Sequence, residues 1–103
     1  MRTVNVRGLT PGAPGVYYCG RASGGWPASP LANPFVLERE ADRDRVIDRY
    51  WRWLEERVRE DDREVVEALL DLPDDALLGC WCAPKRCHTE AVIEFARRLR
   101  DGV

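Results

Sequence analysis

Apolar residues recur along this chain with two different periods, and the changes of period mark out its elements. "TVNVRG" (3–8) alternates and is β-branched, so it predicts a first short strand. "TPGAPG" (10–15) is a turn-rich connection, and "VYYCG" (16–20) predicts a second, largely apolar strand that Gly20 ends. From about residue 38 to 60 the period becomes helical: Val46, Ile47, Tyr50, Trp51, Leu54 and Val58 recur at spacings of three and four. "DDREVVEALLDLP" (61–73) predicts a shorter helix, with Asp61 or Asp62 as N-cap and Pro73 just beyond its end. "DALLGCW" (75–81) is an apolar run of strand length, as in strands buried on both faces of a parallel sheet. The last helix, about 88 to 101, buries Val92, Phe95, Ala96 and Leu99, and Gly102 stops it.

Residues 20–35, "GRASGGWPASPLANPF", fit neither period; three Gly and three Pro forbid a regular element. A loop this long in a small domain is usually functional or disordered, and its Trp26, Leu31 and Phe35 favour packing and function. Trp51 and Trp53 read as core and rim packing rather than a base-stacking platform. The element order implies a small α/β protein, a Rossmann-like sandwich of two or three layers on a short, mainly parallel sheet. At least the second and third strands are parallel, because a helical crossover joins them. Ligands of such sheets bind beyond the carboxyl ends of the strands. Two unusual segments leave there: the loop after Gly20, and "GCWCAPKRCH" (79–88).

Composition changes the picture little. With 103 residues, 45% hydrophobic and 33% charged, the chain is one ordinary globular domain spanning 1–103. A net charge of −2 gives no global attraction for a polyanion, so a nucleic-acid partner would need a local basic patch. The predominance of Arg over Lys is read as coding bias rather than as a set of phosphate forks. No segment approaches a membrane span, and "MRTVNVRGLT" lacks the apolar core of a signal peptide. A cytoplasmic location is therefore expected, where thiols stay reduced and clustered cysteines signal metal or catalysis more often than disulfides. A Cys80–Cys82 disulfide would also need an awkwardly tight ring.

The stretch 79–88 holds three of the four cysteines and the single histidine, and it admits three readings. Cys80, Cys82, Cys87 and His88 are a ligand set that zinc favours, although C-x-C-x4-C-H is not the usual pair of knuckles and adjacent Cys87 and His88 need a sharp turn between them. Alternatively Cys87, at the start of the last helix and beside Lys85, Arg86 and His88, is a reactive thiolate. The third reading is buried structural cysteines with a capping His. Thr89 and Glu90 fall in the first helical turn, where an anion can bind. Glu90 either complements the helix dipole or enters the crevice as a general base. Arg21 is placed to meet an anionic group, and Asn33, before Pro34, has a turn role or makes an amide contact to a base edge.

"VYYCGR…WPASPLANPFV", a helix containing "RYWRWL", and "LLGCWCAPKRCHTEAV" together resemble domain-of-unknown-function family 4326, common in phages and actinobacteria. The likeness covers nearly the whole chain. Motif positions fall on Gly20, Arg21, Asn33, Pro34, Phe35, Cys80, Cys82, Pro84, Cys87 and His88. Two departures stand out: Glu90 where many relatives have Asp, and Ala32 where Gly is usual. The cluster is also loosely similar to the ending of family 488, whose fold is Rossmann-like. The resemblance implies a compact α/β fold and one site shared by the N-P-F loop and the cysteine cluster. The function expected is a nucleotide- or nucleobase-handling protein, a small enzyme of nucleotide or DNA-modification metabolism. On that reading Cys87, His88 and Glu90 are catalytic, Gly20, Arg21, Asn33 and Thr89 bind the ligand, and the Cys/His cluster either binds zinc as a cofactor or supplies a thiolate. The alternative is a zinc-stapled module that binds protein or nucleic acid without catalysis.

Overall fold

In the computed structural model, which describes residues 1–102, the last strand of the sequence is the middle strand of the sheet. The strands β1 (Arg2–Asn5), β2 (Val16–Tyr18) and β3 (Leu77–Cys80) lie in the order β1-β3-β2, and both pairings are parallel. β3 pairs on both sides and shows the burial its apolar run predicts, with Leu78 fully buried. Gly79 pairs with Val4 and Tyr18. A Cβ on Gly79 would stand 2.6 Å from Val6 Cγ1 and 3.2 Å from Val16 Cγ1, so the neighbouring strands close in only around a glycine.

Both outer strands are shorter than their patterns predict. β1 pairs with β3 through Asn5, Val6 N–H still donates to Cys80 O at 2.9 Å, and the chain then turns at Gly8, whose φ of 83° suits glycine. Past β2, Cys19 N–H donates to Gly79 O at 3.0 Å before the chain leaves the sheet.

Helices α1 (Arg43–Arg59), α2 (Arg63–Leu70) and α3 (Thr89–Arg100) share one core with Leu78. Tyr50 and Leu54 come from α1, Val65 and Leu69 from α2, and Ala91, Val92, Phe95 and Ala96 from α3. Each fully buried large side chain there contributes about 1.5–3 kcal/mol. Trp51 and Trp53 pack against this core, Trp51 beside Phe95 and Trp53 beside Tyr50, as their spacing predicts. α1 starts later than its periodicity predicts. Residues Glu40–Asp42 form a 3-10 turn with no buried side chain, so nothing apolar holds them in the helix.

The cap expected at Asp61 or Asp62 takes another form. Asp61 adopts φ 55° just past α1, Asp61 N–H donates to Val58 O at 3.1 Å, and Asp62 N–H donates to Arg57 O at 2.9 Å. This closes α1 as glycine usually does. Asp62 then holds the N-cap position of α2 without a side-chain capping bond. Among the described residues no helix is long and apolar enough to cross a membrane.

Candidate functional site

The loop after β2 and the cysteine segment after β3 meet at the carboxyl ends of the strands, against the start of α1, and enclose a crevice of about 280 Å³. The loop contributes Gly20, Arg21, Ser23, Asn33, Phe35 and Leu37. Helix α1 contributes Arg43, Val46 and Ile47, and the cysteine segment contributes Cys80, Trp81, Cys82, Arg86, Cys87 and His88. Tyr18, at the end of β2, completes the wall.

The loop is fastened by side chains that hold its backbone. Trp26 and Leu31 are buried, and Tyr50 Oη donates to Leu31 O at 2.7 Å inside the core. Phe35, expected to share the anchoring, is only half-buried and faces the crevice instead. Arg21 wraps its guanidinium around the far end of the loop: Nε and Nη2 donate to Asn33 O at 3.1 and 2.9 Å, and Nη2 to Phe35 O at 3.2 Å. Its expected role, meeting an anion, gives way to that of a strap. Asn33 Oδ1 accepts from Phe35 N–H at 2.9 Å, which is the turn role. Gly20 serves Tyr18, because a Cβ there would fall 2.5 Å from Tyr18 Oη. That hydroxyl donates to Arg21 O at 2.6 Å and accepts from Trp81 Nε1 at 2.9 Å, linking the two segments across the crevice.

On the other side, Asn5 holds the cysteine turn. Its Nδ2 donates to Ala83 O at 2.8 Å and to Trp81 O at 3.3 Å. Cys80, Cys82, Cys87 and His88 all line the crevice, and the four cysteines are free thiols. Cys80, Cys82 and Cys87 lie near enough to one another to perturb each other's ionisation. Cys82 gains most. The Cys80 thiol, then the Cys87 thiol, hold it well below the ordinary thiol range, and the adjacent Arg43 guanidinium adds to the effect.

Cys87 is the thiol that the start of α3 was expected to ionise. It is pushed up instead, by the neighbouring Cys80 and Cys82 thiols and then by its own burial. The backbone N–H of Thr89 lowers it, but these larger effects win. Of the two, Cys82 is the more exposed, half-buried at the crevice wall, while Cys87 is buried.

His88 occupies the N-cap position of α3, with its ring edge-on to Tyr50. Its Nε2 lies 2.7 Å from Cys19 O, which only a protonated nitrogen can satisfy. Nδ1 is then the unprotonated nitrogen, 3.4 Å from Cys87 Sγ. Burial lowers the His88 pKa, so the ring is neutral near pH 7.

Two expected residues lie outside the crevice. Thr89 is buried, and its hydroxyl shares a 2.6 Å bond with Thr3, tying α3 to β1. Glu90 binds Arg86 at 2.6 Å and accepts from Trp51 Nε1 at 3.3 Å, so it is a salt-bridge residue rather than a base facing the crevice. Asn5, Tyr18, Arg43, Trp81 and the Cys19 carbonyl escaped the sequence reading. Only Trp81, set between two cysteines, carried a signal in the sequence.

Zinc was expected at the cluster. Among the described residues no group of three or more His, Cys, Asp or Glu side chains is arranged to hold a metal ion. The fixed His88 tautomer, with Nδ1 beside Cys87, does suit a ligand nitrogen.

No curated protein and no solved structure matches the chain. A family model does match, over residues 5–98, so the family expected from the sequence holds: the chain belongs to the family described as Domain of unknown function (DUF4326).

Proposed function

We propose that the chain handles a nucleobase or nucleotide, as a small enzyme of nucleotide or DNA-modification metabolism in which Cys82 is the nucleophile. The observation that carries this reading is the crevice itself. Its volume of about 280 Å³ is at the small end for ligand sites, which suits one heteroaromatic ring with little else. Phe35, Trp81 and Tyr18 offer aromatic contacts, and the Cys82 thiol, its pKa lowered by its neighbours, stands at the wall. The guanidiniums of Arg21, Arg43 and Arg86 are engaged by carbonyls and carboxylates. The crevice therefore favours the base over the phosphate.

A thiolate beside an electron-poor ring suits nucleophilic addition. Cys82 Sγ forms a bond to a ring carbon, the ring takes the electron pair onto a nitrogen or oxygen, and water entering the open crevice supplies the proton that neutralises it. Calorimetric titration with free nucleobases and nucleosides tests the reading. Binding that Phe35→Ala weakens about tenfold or more is expected. Absence of heat with every purine and pyrimidine would overturn it.

A second reading, zinc held by Cys80, Cys82, Cys87 and His88 Nδ1, is favoured by the bond from His88 Nε2 to the Cys19 carbonyl. Metal ligands of this type commonly have such an outer partner. It requires the four side chains to close around the ion. Elemental analysis of protein purified without chelator decides: about one zinc per chain supports it, and none removes it.

A further inference from the structure

We infer that the base entering the crevice belongs to a single-stranded nucleic acid, whose phosphates lie along a row of arginines on α1. The inference rests on the crevice reading above and names its substrate class. Arg45, Arg49 and Arg52 are exposed, at i, i+4 and i+7 of one helix, so they share the solvent-facing side opposite Ile47, Tyr50 and Leu54. Their neighbours on α1 are committed elsewhere. Asp44 and Asp48 face Arg86, Glu55 binds Arg59, and Glu56 contacts Arg57. Among the described residues, no carboxylate pairs with Arg45, Arg49 or Arg52. Three guanidiniums in a line, none paired with a carboxylate among the described residues, form the local basic patch that a chain of net charge −2 needs to hold a polyanion.

The row is continuous with the crevice. The Arg49 guanidinium sits over the Phe35 ring, 5.9 Å from its centroid, and Phe35 lines the crevice. Seven residues of helix span about 10 Å, the rise of roughly three nucleotides along one strand. A strand lying on the row would present an unpaired base at Phe35 and Trp81. A base still paired within a duplex would be screened by its partner, so a single-stranded or extruded base is required.

Fluorescence anisotropy with a short labelled single-stranded oligodeoxynucleotide of mixed sequence tests this at several salt concentrations. Three phosphate contacts predict a slope of about −2 in the logarithm of affinity against the logarithm of salt. The double variant Arg45→Gln/Arg52→Gln should reduce the slope to about −0.7 and weaken binding about tenfold or more, with an unchanged melting temperature. Its calorimetric affinity for free nucleosides should equal that of the parent chain. Equal oligonucleotide binding by parent and variant overturns the inference, as does equal preference for duplex. Nucleoside binding without any oligonucleotide binding also overturns it while leaving the crevice reading intact. If neither binds, both fail.

Discussion

Cys82 and Cys87 are five residues apart and carry opposite chemistry. Position in the sequence favours Cys87, with its helix start and cationic neighbours. The structure favours Cys82, because it is the less buried of the two and shares the crevice wall with Arg43, and its pKa is lowered by the neighbouring thiols and that guanidinium. Alkylation with iodoacetamide at mildly acidic pH, followed by peptide mass spectrometry, should label Cys82 first and leave Cys87 and Cys19 intact. Arg43→Met should slow that labelling. Preferential labelling of Cys87 would restore the helix-terminus argument.

Cys19 makes a different prediction. Burial, with a smaller effect from Cys80, pushes its thiol up to about 12 from an ordinary 9.0. The folded chain then keeps a proton that the unfolded chain gives up. This contribution is whole below pH 9 and disappears as pH rises towards 12, to a total of about 4 kcal/mol. Urea unfolding at intervals from pH 7 to 11 should show falling stability above pH 9. A Cys19→Ala variant should lose part of that slope, and the remainder belongs to Tyr50 and the other raised thiols.

Among the elements, the helices were legible because each buries one regular face, a periodicity written in Val46 to Val58, Val65 to Leu69 and Val92 to Leu99, and the central strand because its apolar run is buried on both faces. The 20–35 loop was legible only as an exception. Its Gly and Pro content said where regular structure stops, but not that Arg21 and Tyr50 would each hold its backbone from outside. Side chain-to-carbonyl bonds across 12 or 19 residues leave no local pattern. The two fastenings differ in depth, and so should their loss. Tyr50→Phe leaves the Leu31 carbonyl buried without its donor, a cost of about 1–3 kcal/mol in the unfolding free energy from urea titration. Arg21→Ala acts on exposed bonds and should cost less than about 1 kcal/mol, yet speed amide exchange of residues 33–35. Equal losses from the two variants would show that the loop is held as one block.

For the molecule as a whole, the convergence of loop and cluster could be read in advance. Two segments leaving parallel neighbours at their carboxyl ends must emerge at the same edge. What could not be read was which side chains are already occupied there. Arg21, Thr89 and Glu90 all have partners in the fold, and pairing depends on three-dimensional neighbours that spacing does not encode. The strand order has a consequence in time. A chain made from its N-terminus produces β1 and β2 first, and these two never touch; each pairs only with β3. Residues 1–76 can therefore form helices but no sheet, and every ladder waits for Leu77–Cys80 to emerge. Ribosome-bound chains halted before residue 77 should be digested by protease, and chains carrying all 103 residues on a C-terminal linker should resist. The cysteine turn is thus formed at the step that completes the sheet, so the nascent chain acquires its fold and its crevice in a single late event.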